Sequence, residues 1–506
     1  MENKAPEKTA LIDTKTLLAK LDENGLLLSA PLCDQDFGYI SFNSNDIRDN
    51  TLFICKGRHF RQEYLQQALA NGATCYVSEE SISDAAPGFI VSDVRKATAV
   101  IAKAAYGTGI SGLNLIAVTG SKGKTTTTRL IFEALSRSSL GKAACTSSVG
   151  YYDGRSEGAH PNHNTTMESL DTLKVIRNAI DNGVKHMVVE ASSQAAKDAR
   201  LHGIDFAYGI FTNIDSDHIS PFEHADFEEY LSAKIQLMQQ CGSVIAFKDL
   251  LDAYPVIAME LKGKNIYTFG LEMPCDFYVD SLEQTDCGYR FSLWDNTKDR
   301  PVRHTYSFSI FGEYNVKNAA AAAALCLLLG VSDEAINDGF QNTQVEGRSE
   351  IVEGYKCPII IDYAHNRLSA SELFKAVTKA FPERTVKTVF GCPGNKGINR
   401  RKELTEVVAQ YSIHCYITNE DPADEEFADI ASQMVRHIPE GVGYSLIEDR
   451  EEAIIAALES AEPSDIIAII GKGDEKTITY KGVSSPYKGD MQSVLDYIGR
   501  YAKVAK

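Results

Sequence analysis

The chain runs to 506 residues, enough for two to four domains with their own cores. Its apolar fraction of 44% and charged fraction of 24% are those of a soluble globular protein. A formal charge of −18 argues against a nucleic-acid partner and requires any anionic ligand to be met by locally concentrated basic residues. No apolar run approaches a membrane span, and the opening Met1-Glu-Asn-Lys-Ala-Pro-Glu-Lys has no apolar signal region. Eleven cysteines form no Cys-x-x-Cys pair. Those inside apolar runs, Cys55, Cys75, Cys326 and Cys415, read as reduced core residues of a cytoplasmic protein.

In chain order, residues 9–107 hold short strands and helices, with the signal Asn50-Thr-Leu-Phe-Ile-Cys-Lys-Gly57 and a helix near 63–71. Gly107-Thr-Gly-Ile-Ser-Gly112 reads as a linker. An apolar strand from Leu113 then runs straight into Gly120-Ser121-Lys122-Gly123-Lys124-Thr125, and a helical pattern begins at Thr126. A glycine turn at a helix start aims backbone N–H groups at one place, which suits a phosphate. Lys124 can reach terminal phosphates, and the Thr125 hydroxyl can ligate Mg²⁺. Only two residues separate Gly120 from Gly123-Lys124, so this is a shortened phosphate loop.

Candidate strands at 185–190, 206–214 and 244–247 alternate with helices, which implies a mainly parallel sheet with helices on both faces. The first ends in Glu190, placed to hold Mg²⁺ beside the loop, and the second leads to His218, a further candidate metal ligand. Lys234 lies in a helical stretch where, taken alone, it reads as a surface lysine. Residues 265–312 alternate as short strands, and 318–329 form an Ala/Leu-rich helix.

After Val345-Glu-Gly-Arg-Ser349 come four more strand candidates, 358–361, 386–390, 414–418 and 466–470. Each leads into a polar or glycine-rich loop: Asp362-Tyr-Ala-His-Asn366, Gly391-Cys-Pro-Gly-Asn-Lys-Gly397, Asn419-Glu-Asp-Pro-Ala423 and Gly471-Lys-Gly-Asp-Glu475. Ligands of open α/β sheets bind beyond the carboxyl ends of strands, so four such loops imply one shared site.

The shortened loop Thr119-Gly120-Ser121-Lys122-Gly123-Lys124-Thr125 resembles that of the ATP-dependent Mur ligases and the folylpolyglutamate synthetases. Further motifs resemble the Mur ligases along essentially the whole chain: Glu190-Ala-Ser192-Ser-Gln-x5-Arg200, Asn213-Ile-x-x-Asp-His218, Lys234, Gly312-Glu-Tyr-Asn315-Val-Lys-Asn318, Glu346-Gly-Arg348-x-Glu350 and Asp362-Tyr-Ala-His365-Asn366. Asp217-His-Ile-Ser-Pro-Phe-Glu-His224, Pro393-Gly-Asn-Lys-Gly397 and Tyr487-Lys-Gly-Asp490 are similar to the tripeptide-forming, lysine-adding Gram-positive branch.

The resemblance implies three α/β domains in series: a UDP-sugar-binding N-terminal domain (1–110), a central P-loop ATPase-like parallel sheet (111–345) and a Rossmann-like amino-acid-binding domain (346–506), which closes over ATP. It implies ATP-dependent ligation of L-lysine to UDP-N-acetylmuramoyl-L-Ala-D-Glu through an acyl phosphate, by a monomer. In that reading Lys124 steadies the transferred phosphate, Thr125 and Glu190 hold one Mg²⁺, and His218 with Lys234, as a CO₂-derived carbamate, serves a second. Asn315 and Asn318 match adenine-side positions, Arg348 a phosphate-side arginine, and Asp362 a ribose contact. Ser44, Thr165, Thr166, Ser192 and Arg200 match positions that hold the UDP-muramoyl dipeptide.

For the amino acid, Arg401, Glu420, Asp421, Pro422, Ala423, Gly471 and Glu475 match the family's contacts. Enzymes that add meso-diaminopimelate carry an arginine where Ala423 stands, able to pair with the distal carboxylate. Here Glu420-Asp421-Pro422-Ala423-Asp424-Glu425-Glu426 is acidic and suits a distal ammonium, hence L-lysine. Addition of meso-diaminopimelate or L-ornithine, a folylpolyglutamate-synthetase-like activity and a non-catalytic nucleotide-binding protein are the competing readings. Glu190, His218 and Lys234 together speak against the last.

Overall fold

The computed structural model describes residues 12–57, 60–160, 164–215, 223–250, 252–285, 288–395 and 397–504, with side chains through residue 500. Three larger sheets follow one another along the chain, beside two two-stranded ones among the described residues. The first has five strands, in the order Leu27–Ser29, Gly88–Val91, Ala73–Ser78, Thr51–Ile54 and Tyr39–Ser41. Only Leu27–Ser29 runs antiparallel. The helix Val94–Tyr106 starts where Asp93 accepts hydrogen bonds from the backbone N–H groups of Arg95 and Lys96. It hands over through the short turn Ile110–Gly112 to the second sheet, so the expected linker is only a few residues long.

The second sheet has eleven strands. Its phosphate-loop strand, Asn114–Thr119, lies between Val184–Glu190 and Phe206–Phe211, parallel to both. Residues Leu115 to Val118 are buried, as expected of a strand covered on both faces. The strand after Asn114–Thr119 is Lys142–Ser147, two places to one side, whereas Phe206–Phe211 lies on the other. The phosphate loop therefore leaves the sheet near a change in winding direction, where ligands of such sheets bind. Residues 265–312 do not form a separate unit. Phe277–Thr285, Gly288–Asp295 and Val302–Phe308 extend the same sheet as an antiparallel meander. Phe277, Phe291, Leu293, Tyr306 and Phe308 share one buried cluster with the run Ala319–Ala324 of the helix Asn315–Leu329. Those small side chains let that helix pack closely on the phosphate-loop helix Lys124–Arg137.

The third sheet has six strands, in the order Glu350–Val352, Ile359–Asp362, Asp465–Ile470, Thr385–Phe390, Ser412–Ile417 and Gly443–Leu446. All but Glu350–Val352 are parallel, so five carboxyl ends, including those of the four strands that carry the polar loops, lie at one edge. Cys55, Cys75, Cys326 and Cys415 are buried free thiols. Among the described residues no helix is long and apolar enough to cross a membrane.

One ion pair ties the last helix to the loop edge of the third sheet. Arg450 and Asp490 are fully buried, with Nε to Oδ1 and Nη2 to Oδ2 both 2.8 Å, and Nη2 also donates to the Ile470 carbonyl at 2.9 Å. Arg450→Leu leaves Asp490 and that carbonyl buried without their partner. It is expected to cost about 3–5 kcal/mol, read as a lower urea midpoint for the transition that unfolds the third sheet. An unchanged midpoint would show that the pair does not hold the helix Asp490–Val504 in place.

Candidate active site

The phosphate loop is held rigidly by its neighbours. Gly120 has φ +153° and Gly123 φ +78°, and a Cβ at either would overlap Thr212 Oγ1 or Asn318 Oδ1. The Thr212 hydroxyl donates to the Lys122 carbonyl at 2.8 Å, Asn213 Nδ2 donates to the same carbonyl at 2.9 Å, and Asn213 Oδ1 accepts from the Lys122 N–H at 2.8 Å. Thr119 closes the strand with a buried hydroxyl that has no hydrogen-bond partner among the described residues. Ser121 Oγ lies 2.8 Å from the Tyr230 hydroxyl.

Lys124 lies over its own loop, donating to the carbonyls of Gly120 at 3.1 Å and Ser121 at 3.2 Å. The Thr125 hydroxyl is 3.0 Å from both Glu190 oxygens and 3.0 Å from Ser148 Oγ. The Ser148 N–H donates to Glu190 Oε2 at 2.8 Å. This all-oxygen set, with one carboxylate, has the chemistry of a Mg²⁺ site. Lys234 is buried, donates to the Gly120 carbonyl at 2.9 Å and sits 4.5 Å from the centre of the Tyr230 ring, so it belongs to the loop and not to the surface. His218 lies outside the described residues.

Ser121, Lys124, Thr125, Thr165 and Glu190 form one wall of a cleft of about 420 Å³, and Arg348, Tyr363, His365, Arg400, Glu420, Asp421, Asp474 and Glu475 form the other. Arg348 joins the two, with Nη2 3.4 Å from Ser148 Oγ, Nη1 2.9 Å from Asp474 Oδ1, and its guanidinium 4.1 Å from the Tyr363 ring centre. Asn315 and Asn318 lie behind the loop. Asn318 Nδ2 donates to Asn315 Oδ1 at 2.8 Å, and Asn315 Nδ2 donates to the Phe311 carbonyl at 2.9 Å. Asp362 is buried and accepts from the Ser349 N–H at 2.7 Å and the Ala364 N–H at 2.6 Å, so it fixes the turn that carries Arg348. Burial raises its pKa against the opposing pull of Arg348.

The acidic run 420–426 divides in two. Glu420 and Asp421 line the cleft. Asp424 and Glu425 accept hydrogen bonds from Asn395, and Glu426 from Tyr480 and Lys481. Those three acids therefore serve the loop itself. The Pro422 carbonyl lies where a Cβ on Gly394 would stand, and Ala423, at φ +52°, is bridged to Tyr480. Lys472, fully buried, lies 2.6 Å from Glu475 Oε2 and 3.3 Å from Asp421 Oδ2. Burial lowers its pKa, but Glu475 and Asp421 outweigh that and hold it above the usual lysine value. Gly471 has φ +109°, and a Cβ there would lie 3.3 Å from Glu420 Oε2. Arg401 is buried, donating to the Pro393 carbonyl at 3.2 Å and Glu425 Oε1 at 2.6 Å, and its neighbour Arg400 lines the cleft.

A second cleft, of about 250 Å³, separates the first sheet's region from the second's and is lined by Phe42, Lys56, Arg95, Asn164, Glu168 and Arg200 among others. Lys56 pairs with Glu168, and Arg200 Nε lies 3.1 Å from Glu168 Oε1. Burial alone would raise the Glu168 pKa, but Lys56 and Arg200 bring it below the usual carboxylate range. Arg200 Nη1 donates to the Thr166 carbonyl at 3.0 Å, and the Thr166 hydroxyl accepts from the Ser192 N–H at 2.9 Å. Asn164 lines this cleft and Thr165 the larger one, so this segment passes from one to the other. Ser44 is buried and donates to Gln67 Oε1 at 2.9 Å, outside the residues that line either cleft. Sequence reasoning missed Ser148, Arg400, Lys472 and Glu168. Tyr230 carried a readable signal, standing one helical turn before Lys234.

The Mur ligase middle domain matches residues 118–326, and the Mur ligase glutamate ligase domain matches 347–473. A UDP-N-acetylmuramyl-tripeptide synthetase of Lactobacillus acidophilus is 34% identical over 502 residues, covering 95% of this chain and 96% of its own. A UDP-N-acetylmuramoyl-L-alanyl-D-glutamate--L-lysine ligase of Streptococcus agalactiae is also 34% identical, over 92% of this chain and 93% of its own. Among solved structures, a UDP-N-acetylmuramoyl-L-alanyl-D-glutamate--2,6-diaminopimelate ligase aligns with a TM-score of 0.60 at 25% identity, over 92% of this chain and 96% of that one. MurF of Thermotoga maritima in complex with ADP shares the fold, with a TM-score of 0.65 at 17% identity over 92% of this chain and 98% of its own. With its phosphate loop, its three successive larger sheets and relatives that match over 92% to 95% of its length, the chain belongs to the Mur ligase family of amide-forming ligases.

Proposed function

We propose that the protein uses ATP to join L-lysine to the D-glutamate carboxylate of UDP-N-acetylmuramoyl-L-alanyl-D-glutamate, in cytoplasmic synthesis of peptidoglycan precursors. The observation that carries this reading is the cleft of about 420 Å³, with a phosphate loop on one wall and clustered carboxylates on the other. Three domains, 1–110, 111–345 and 346–506, would each supply one substrate's site. The 34% identity to a lysine ligase over most of both chains supports the amino acid chosen. The diaminopimelate enzyme among the solved structures, at 25% identity, keeps that amino acid as the second reading.

Each step follows from charge. Phosphoryl transfer to a carboxylate crowds two anions together, and cations fixed in advance lower that barrier without reorganising. Lys124, lying across the Gly120 and Ser121 carbonyls, exchanges those contacts for the transferred phosphate, and Arg348 meets the same charge from the opposite wall. Thr125 and Glu190 are the residues that would hold Mg²⁺, which neutralises phosphate oxygens when bound. Lys234, as a carbamate, would offer an anion where its ammonium now meets the Gly120 carbonyl. Lys56, Arg200, Thr166 and Ser192 hold the sugar-peptide, whose carboxylate passes with residues 164–166 into the larger cleft. At the far wall Arg400, backed by Arg401, meets the amino acid's carboxylate, and the carboxylates beside it suit a substrate with two ammonium groups.

Phosphate release should require ATP, the UDP-dipeptide and L-lysine together, and release without the dipeptide would contradict the reading. Lys124→Met should lower kcat by roughly 10²–10³-fold, measured by coupled phosphate release. Lys234→Ala should collapse turnover and regain part of it when a small carboxylic acid is added. Full activity without that addition would remove Lys234 from the mechanism.

A further inference from the structure

Within the amino-acid wall, Glu420 differs from the carboxylates around it. Asp421 accepts from the Thr479 N–H at 2.8 Å and pairs with Lys472, and Glu475 accepts from the Tyr363 hydroxyl at 3.1 Å and also pairs with Lys472. Glu420 lines the same cleft and is only 8% exposed, yet its Oε2 is buried with no hydrogen-bond partner among the described residues. Gly471, at φ +109°, faces that oxygen, which a Cβ there would approach to 3.3 Å. A carboxylate deprived of water and of donors gains by taking up a proton.

We propose that Glu420 accepts the proton from the incoming amino acid's α-ammonium and so frees the amine that attacks the acyl phosphate. This rests on the ligase reading above. The ammonium gives one proton to the Glu420 carboxylate, and the nitrogen lone pair attacks the acyl carbon. The C–N bond forms and the C–O bond to phosphate breaks, its electron pair leaving on the phosphate. The nitrogen's second proton departs with that phosphate, giving hydrogen phosphate, and Glu420 later returns its proton to solvent.

The surroundings set the carboxyl near neutrality. Burial pushes its pKa up to about 7, against the pull of Lys472 and Arg400 and with the support of Glu475 and Asp421. Arg450, Tyr363 and Cys392 face it from the other packed elements. A base of that strength is half available at neutral pH, the most effective setting for proton transfer there. Glu475, whose two oxygens are both engaged, is the poorer acceptor.

The test compares two nucleophiles, L-lysine and hydroxylamine, which is already unprotonated at neutral pH and needs no base. Glu420→Gln should lower lysine-dependent phosphate release by about 10²–10⁴-fold. Hydroxamate formation, read from the same ATP and UDP-dipeptide, should fall far less, and Glu420→Asp should recover part of the lysine rate. In the wild-type protein kcat/KM for lysine should drop tenfold per pH unit below about 7, whereas the hydroxylamine rate, once corrected for hydroxylamine's own protonation, should lack that limb. Equal loss with both nucleophiles, undiminished lysine turnover, or the same acid limb with both would overturn the proposal and leave the ligase reading standing. Absence of ADP formation by the wild-type protein with either nucleophile would overturn the ligase reading, and the proposal with it.

Discussion

The site depends on a backbone turn with no room for side chains. Gly120 and Gly123 lie so close to Thr212 and Asn318 that only a hydrogen fits at either Cα. Those contacts fix the direction of the loop's N–H groups and carry Lys124 and Thr125 to the start of a helix. Each neighbour has a reason to be there. Thr212 and Asn213 follow the adjacent strand Phe206–Phe211, and Glu190 ends the strand on the other side. Asn318 comes from the alanine-rich helix whose small side chains permit its close approach. The order of strands thus becomes the placement of ligands around a phosphate.

The second constraint is electrostatic. A chain of formal charge −18 must still gather anionic substrates, so its cations have to be committed locally. Lys124, Arg348 and Lys234 surround the loop, and Lys56 and Arg200 mark the neighbouring cleft. Across from them Lys472 is buried among carboxylates, 3.3 Å from Asp421 and 2.6 Å from Glu475, while Glu420 Oε2 has no hydrogen-bond partner among the described residues. The wall is therefore not uniform: burial raises the pKa of Glu420 against the pull of Lys472, whereas Asp421 and Glu475 each pair with that lysine.

Much of this was legible in the sequence for a simple reason. Strand–glycine–helix junctions and strand-end acids are local patterns, so Gly120 to Thr125 and Glu190 stand where the sequence implies. Long-range choices were not local. Nothing in the sequence distinguishes Arg400 from Arg401, because about 100° of helical phase decides which one faces the cleft, and the start of that helix at Gly397 sets the phase. The acidic run 420–426 read as one feature but divides, since Asn395 and the hairpin residues Tyr480 and Lys481 claim three of its members. Ser148 is the second of two serines where the strand Lys142–Ser147 ends and acquires meaning only through the Glu190 carboxylate beside it.

The most direct test follows an atom. With ¹⁸O in the D-glutamate carboxylate of the UDP-dipeptide, one turnover with ATP and L-lysine should place one label in the released inorganic phosphate. That outcome requires the carboxylate oxygen to have been phosphorylated. Unlabelled phosphate, or label in the nucleotide, would contradict an acyl phosphate and with it the account of how this site brings two anions together.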